Sequence, residues 1–358
     1  MSNVVQLNVS SRIASEANRQ SALICSFAQH RRFGDDVFWL KENAELLNVL
    51  ECSGANLSES ALAIHEKLYA GIEKRIGFFP QYYRFLLSIC LDLEDLGLGG
   101  GKGEKIVDWV ARQGMAEAEL SDLQRGEARR LMLRRGRDPL PDDRGLEDRL
   151  RSFISRSATF AMPNKKAAYE LTHTIFYLSE YGRKDPRIDE NARRSLDFAG
   201  TLAFLDQNAD LLAEICVAMR FSGVAPPAIW ENWLTRHSHL FSVETGEAAQ
   251  VHDDYHEYLV CNWFAAVIGE RSFGQPLVEE RMSFHRPDTG QAPLRAMSEC
   301  MFRLDDARCD DWQTMRSTVT ETLSDDGHAI LTLAEQASHS FDAFFAGFSR
   351  TGMAGGGL

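Results

Sequence analysis

Apolar residues recur every three to four positions along nearly the whole chain, and stretches that alternate every second residue hardly occur. That period belongs to the α-helix. Ser10 and Ser11 can cap a helix running to about 31, and Gly34-Asp35-Asp36 punctuates before a second that ends near Ser53-Gly54. Ser58 or Ser60 opens a third, which stops near Gly77-Phe78-Phe79-Pro80, and Pro80 suits the first turn of a helix continuing to Leu96. After the glycine-rich break at Gly97 to Gly103, the pattern predicts helices at about 104–113, 121–136, 145–157, 164–181, 189–206, 208–222, 227–236, 248–268, 291–304, 310–323 and 326–348.

Helices of this length joined by short Gly, Pro and Asp connections pack as successive antiparallel hairpins. The expected fold is all-α, either an α/α toroid or a multi-helix bundle. No motif repeats at a fixed period, so a regular solenoid is not indicated. The one break in composition is Arg137 to Arg151, where Asp138-Pro139-Leu140-Pro141-Asp142-Asp143 reads as a linker. It divides an N-terminal helical layer, 1–137, from a C-terminal half, 138–350, or else forms a surface loop of a single domain. A glycine-rich tail, 351–358, is expected to be disordered.

Two of these helices carry a carboxylate three residues before a histidine, Glu170 before His173 and Asp253 before His256. Residues i and i+3 share a helix face, so each pair can aim at one point. In 164–181, Ala168, Leu171, Thr172, Ile175 and Leu178 form an apolar stripe, while Glu170, His173 and Tyr177 lie roughly opposite. That second stripe is either a solvated face or the lining of an internal cavity. In 248–268, Asp253 and His256 share a face with Val260, Trp263, Phe264 and Val267, and Val251, Tyr255, Leu259 and Ala266 cover another sector. Only Asp254, Glu257 and Cys261 remain for an exposed strip, so this helix should be buried. A carboxylate and an imidazole on a buried face need partners. They either satisfy each other or serve a site.

Composition narrows the partners. The 358 residues are 44% hydrophobic and 25% charged, as in a soluble globular protein, and the net charge of −13 argues against nucleic acid or an anionic membrane. No apolar run is long enough to span a bilayer, and Met1 to Val9 does not read as a signal peptide. The seven cysteines, Cys25, Cys52, Cys90, Cys216, Cys261, Cys300 and Cys309, include no C-x-x-C pair, which suits reduced thiols and a cytoplasmic location.

Three chemistries fit the two half-sites. As metal ligands, Glu170, His173, Asp253 and His256 give a mixed nitrogen and oxygen set suited to iron, manganese or zinc. Di-iron bundles add two further carboxylates, for which Glu42, Glu66 and Glu214 are helix-interior candidates. Without a metal, His256 oriented by Asp253 is a general base, with Glu170 or His173 opposite and Tyr177 as proton donor or hydrogen-bond anchor. Third, Asp253-Asp254-Tyr255-His256-Glu257 spells D-D-x-x-E, which resembles the aspartate-rich motif of class I terpene synthases, where such carboxylates bind magnesium and a diphosphate. No second motif of that family follows, since Asp325-Asp326 is continued by Gly327, His328 and Ala329.

Other features carry less. Arg125, Arg129, Arg130, Arg134, Arg135 and Arg137 form a basic stretch that reads as a solvated helix more readily than as a phosphate or partner site. Gly99-Gly100-Gly101-Lys102-Gly103 lacks the phosphate-loop signature and reads as a hinge. His237 and His239 follow two tryptophans and are candidates for a pocket rim, and Cys309, flanked by acids, should be poorly reactive.

The segment Glu170-Leu171-Thr172-His173-Thr174-Ile175-Phe176-Tyr177-Leu178-Ser179-Glu180-Tyr181-Gly182, with the later Asp254-Tyr255-His256 and Leu259-Val260, resembles uncharacterised bacterial helical proteins. Those carry a Thr-His-x-x-Phe-Tyr-Leu…Gly segment and a later Tyr-His. The resemblance implies that His173 and His256 belong to one site, and it implies Glu170 less directly. The expectation is an enzyme using a His/carboxylate site in an internal pocket on a small-molecule substrate. The alternative is a non-catalytic helical scaffold that binds a protein or peptide.

Overall fold

Side chains with local hydrogen-bonding oxygens stop the chain where helices begin. Asp36, Ser58, Ser121, Asn164, Asp189, Asn208, Asp311 and Ser324 each accept from a backbone N–H of the first turn they cap. The computed structural model describes residues 16–34 and 36–351. The serines read as an N-terminal cap and the glycine-rich tail beyond Thr351 lie outside the described residues.

The chain is almost entirely helical. The first half comprises α1 (Glu16–Cys25), which runs on into a π-helical turn, then α2 (Val37–Cys52), α3 (Glu59–Leu62), α4 (Glu66–Phe78), α5 (Tyr83–Asp95), α6 (Lys102–Arg112) and α7 (Asp122–Leu133). After the Pro139–Pro141 stretch come α8 (Leu146–Ile154), α9 (Ser157–Phe160), α10 (Lys165–Leu178), α11 (Glu190–Leu205), α12 (Ala209–Phe221) and α13 (Ala228–His239). Strand β1 (Ser242–Thr245) precedes α14 (Tyr255–Val267), and β2 (Met282–His285) follows it. The chain continues as α15 (Leu294–Leu304), α16 (Trp312–Thr320), α17 (Asp325–Ala337) and α18 (Phe341–Ser349).

The fold is an all-α multi-helix bundle. One hydrophobic cluster runs from Leu23 and Leu47 through Leu171 and Ile215 to Phe344, so helices from both sides of the Pro139–Pro141 stretch share a core. Helices α12 and α14 lie at its centre. Of α12, every residue from Leu211 to Met219 is buried, and of α14 every residue from Glu257 to Ala265. Helices α2, α10, α11 and α13 pack around them. Where α13 crosses α11, Trp230 lies directly over Gly200, and a Cβ there would come within 2.3 Å of the indole. The core thus needs a glycine inside a helix.

Four departures from the sequence pattern matter. Strands β1 and β2 pair antiparallel, Ser242 opposite His285, in segments too short to show an alternating period. The span 326–348 is two helices, broken at Ser338–Ser340, where the Ser338 hydroxyl accepts from the Ser340 N–H. The predicted 58–77 helix is broken by a 3₁₀ turn at Ala63–His65. Most consequential, α14 begins at Tyr255, not near 248, so Asp253 and Asp254 precede the helix. Of the Gly99–Gly103 break, 99–101 is a short irregular link, and Lys102 and Gly103 open α6. The Tyr69 hydroxyl sits beneath Gly100, and the Gly103 N–H donates to Glu94 at 2.8 Å. Most of the basic stretch folds onto acids of the same chain, Arg134 on Asp92 and Asp95, Arg135 on Glu94 and Asp95, Arg129 on Asp138.

Candidate metal and acid–base site

Six helices frame a cavity of about 600 Å³, and helical spacing decides which side chains enter it. From α2 come Lys41, Ala44, Glu45, Asn48 and Val49; from α10, Tyr169, His173 and Phe176; from α14, His256, Leu259, Val260 and Trp263. Each set follows the three- and four-residue step of one helix face. Helix α12 adds Asp210 and Glu214, one turn apart, α5 adds Phe85 and Ser88, and α7 adds Glu127. Exposed Lys41 and Gln81 mark the mouth.

One wall is aromatic. Phe176 meets the Trp263 ring edge-on at 4.9 Å between centroids, and Tyr181 packs on the same indole. Tyr181 is returned to this wall by a left-handed turn after α10, with φ of 54°, and Gly182 follows at φ of 83°. A Cβ on Gly182 would strike the Phe221 ring at 2.5 Å, so glycine is required on both counts. Behind Tyr181, the guanidinium of Arg130 lies 4.3 Å from the ring centroid.

The lining around α12 is ionic. Asp210, Glu214 and His256 can each place one donor atom within 4.8 Å of the others. His256 Nδ1 lies 2.9 and 3.0 Å from the two Asp210 oxygens, and its Nε2 lies 3.9 Å from Glu45 Oε1. Glu214 accepts from the Thr172 hydroxyl at 2.5 Å, and its Oε2 is 3.8 Å from His173 Nε2. The Tyr255 hydroxyl donates to Glu45 at 2.9 Å. Asp210 sits in the first turn of α12, where the helix dipole favours an anion.

These groups shift one another. Burial pushes the Glu214 carboxyl up to about 8, with the negative charge of Asp210 acting in the same direction. Burial alone would lower His256, but its hydrogen bond to Asp210 and the charges of Asp210, Glu45 and Glu214 outweigh it and hold the imidazolium up at about 10. Burial lowers His173, and Glu127 opposes that only in part, so its ring favours the neutral form. Burial also raises Tyr169, which lies against Asp210.

The fold brings His173 and His256 to one cavity and leaves the carboxylates that precede them elsewhere. Glu170 pairs with Lys166 at 4.0 Å on the outer side of α10 and does not line the cavity. Asp253 is taken by Arg31, whose guanidinium spans both its oxygens at 2.7 and 2.8 Å. Tyr177 stacks beside His173, with centroids 6.0 Å apart, outside the cavity lining, and burial raises its phenol well above the ordinary value. The D-D-x-x-E carboxylates diverge. Asp253 faces Arg31, Asp254 accepts from the Arg286 N–H, and Glu257 meets His237 at 2.6 Å. Glu257 and Cys261 are buried, not an exposed strip, and His237 is buried with Glu257 while His239 is exposed. Of the three extra carboxylates suggested by sequence, Glu214 is in the site, Glu42 binds Arg31 and Arg32, and Glu66 is exposed.

Asp210 and Glu45 were missed. A signal for Asp210 existed: the segment from Asp210 to Met219 is apolar except for two carboxylates spaced i, i+4. Two acids on one face of an otherwise buried helix must meet something polar. Helix α12 packs against both α10 and α14, so its acids reach the two histidines from a third helix and not from a neighbouring position in sequence.

All seven cysteines are free thiols, and among the described residues no helix is long and apolar enough to cross a membrane. The chain belongs to the family described as a domain of unknown function, DUF6902, whose model matches residues 1–351. No curated protein and no solved structure matches it.

Proposed function

We propose that this DUF6902 protein is a metal-dependent enzyme, with a divalent transition ion held by Asp210, Glu214 and His256 and a small organic substrate against the aromatic wall. The observation that carries the reading is the convergence of those three donors within 4.8 Å in the lining of the cavity. Glu214 is held protonated near neutral pH by burial and by Asp210, and His256 carries a proton between acids. Both protons occupy places a cation would take. Carboxylate and imidazole donors together suit iron, manganese or zinc.

When bound, such an ion supplies Lewis-acid polarisation of a substrate oxygen. The chain's own residues do the rest. His173, kept neutral by burial, can accept a proton from a substrate in the cavity. Tyr177 stacks on that ring and orients it. Phe176, Tyr181 and Trp263 exclude water from an apolar portion of the substrate. A concave space of about 600 Å³ between helices has the size of a small-molecule site.

A second reading rests on the Asp210–His256 hydrogen bond itself. In it the protein works without metal, and His256 is the acid. Elemental analysis separates the two. Protein produced with supplemented iron, manganese and zinc should retain near-stoichiometric metal, which Asp210→Asn and Glu214→Gln should lose. Less than about a tenth of an equivalent in the folded wild type would leave only the metal-free reading.

A further inference from the structure

We propose that the chain binds a small multivalent anion, of the pyrophosphate class, in a second pocket apart from the cavity. This pocket, of about 530 Å³, lies between the turn after α10, the first turn of α11 and the C-terminal end of α12. Five cationic side chains line it, Arg183, Lys184, Arg187, Arg193 and Arg220, and Asp185 is the one acid among the lining residues. In the whole chain acids outnumber bases by 52 to 39, so this local excess runs against the composition. Guanidinium forks match pairs of phosphate oxygens, and several of them around one hollow suit a ligand with more than one negative group.

The ion pairs already made leave donors over. Arg183 and Arg220 each use one edge of the guanidinium, on Glu51 and Glu231. Lys184 Nζ meets Glu180 at 2.7 Å. Arg187 and Arg193 stand 3.6 and 3.7 Å from Glu147 and Glu190, beyond hydrogen-bond reach. Glu147 is held more closely by Arg151, at 2.9 Å. None of these carboxylates lines the pocket. Long, exposed pairs of this kind contribute little, so an anion can take Arg187 and Arg193 without breaking a strong contact.

The loop that presents these groups is pinned. The Lys184 N–H donates to the Ser179 carbonyl at 2.9 Å, the Arg187 N–H to the Asp185 carboxylate at 2.8 Å, and Arg151 Nε to the Pro186 carbonyl at 3.0 Å. A backbone fixed in advance lowers the ordering cost of binding. The volume is that of a small-molecule site, and the net charge of −13 opposes a long polyanion such as nucleic acid. The pocket shares no lining residue with the cavity, so the anion is a ligand in addition to the substrate. The two sites are neighbours all the same. Phe221 lines the pocket and meets the Phe176 and Trp263 rings of the aromatic wall, with centroids 6.1 and 5.9 Å apart.

The test is calorimetric titration of metal-free, full-length protein with pyrophosphate. Wild type should bind about one equivalent with a Kd below about 1 mM. Arg187→Glu and Arg193→Glu, both on exposed side chains, should each weaken binding about tenfold or more. Arg295→Glu makes the same charge change on α15, outside the pocket lining, and should leave the Kd within about twofold of wild type. Melting temperatures matched to wild type confirm that the variants fold. Absence of saturable binding to folded wild type overturns the site. So does binding that both pocket variants leave intact, or that Arg295→Glu weakens as much as they do. Because every titration uses metal-free protein, none of these outcomes turns on whether the cavity holds an ion.

Discussion

Arg31 and Asp253, 222 residues apart, form a two-pronged ion pair with no solvent exposure on either side chain. Arg31 also binds Glu42 at 3.0 Å and the Met282 carbonyl at 2.6 Å, and it lies over the Phe27 and Tyr255 rings. Asp253 in turn accepts from the Phe284 N–H at 2.8 Å. The turn after α1, the start of α14 and strand β2 are therefore tied at one buried point. Such a pair is weak evidence for net stability, but removing one member leaves the other charged and dry. Asp253→Ala should destabilise the fold by about 3–5 kcal/mol in denaturant unfolding. Its metal content, measured on the folded fraction, should equal wild type. Loss of metal at full stability would return Asp253 to the site.

That pair also explains what the sequence could and could not tell. The periodic pattern located nearly every helix, because burial of one face is written locally at three- and four-residue spacing. It placed His173 and His256 on faces that now share a cavity. It assigned Asp253 to His256 because it extended α14 back to 248, and nothing local says that the helix starts at Tyr255. The reason is distant: Asp253 is held outside the helix by Arg31 and by β2. Strands β1 and β2, four residues each, are defined by each other and not by their own pattern. Asp210 was legible in principle, as a charge on a buried helix. Glu45 was not, because its role is set only by where Tyr255 and His256 land.

Gly200 tests how α11 and α13 pack beneath the site. Alanine is the better helix former, so an exposed position would gain stability from the change. Here the new methyl would press on the fully buried Trp230 ring at 2.3–2.4 Å. Overpacking of this kind costs about 1–3 kcal/mol. Gly200→Ala should lower the melting temperature and alter the fluorescence of Trp230. An unchanged or raised melting temperature would mean that the two helices can move apart without penalty.

The thiols should divide by burial. Cys216 and Cys261 face the α12–α14 interior, and burial raises both well above the ordinary thiol value. Thiolate is the reactive form, so neither should react with a maleimide in the native state. Cys309, partly exposed after α15, should label before both, its accessibility outweighing the flanking acids that argue for poor reactivity. Mass spectrometry of briefly labelled native protein checks the order, and rapid labelling of Cys216 would mean that the central helices open.

Finally, the ionic wall makes the metal-free protein sensitive to alkali. Glu214 is raised from 4.5 to about 8 by burial and by Asp210, so the folded state keeps a proton that the unfolded chain has lost. Its contribution is favourable at low pH and declines as pH climbs from 4.5 through 8. His256, raised from 6.5 to about 10 by Asp210 and the neighbouring acids against the pull of burial, behaves in the same sense. Its stabilisation is complete below 6.5 and gone above 10. The two groups therefore push in one direction across pH 4.5–10. Glu214→Gln replaces the protonated carboxyl by a neutral group of the same shape. Near pH 5 the variant should melt close to wild type, and by pH 9 it should melt higher, since it has no proton to lose. Melting curves of stripped protein at a series of pH values provide the measurement. A gap that stays constant with pH would show that Glu214 is already ionised in the fold, and the case for a cation at this wall would lose its electrostatic support.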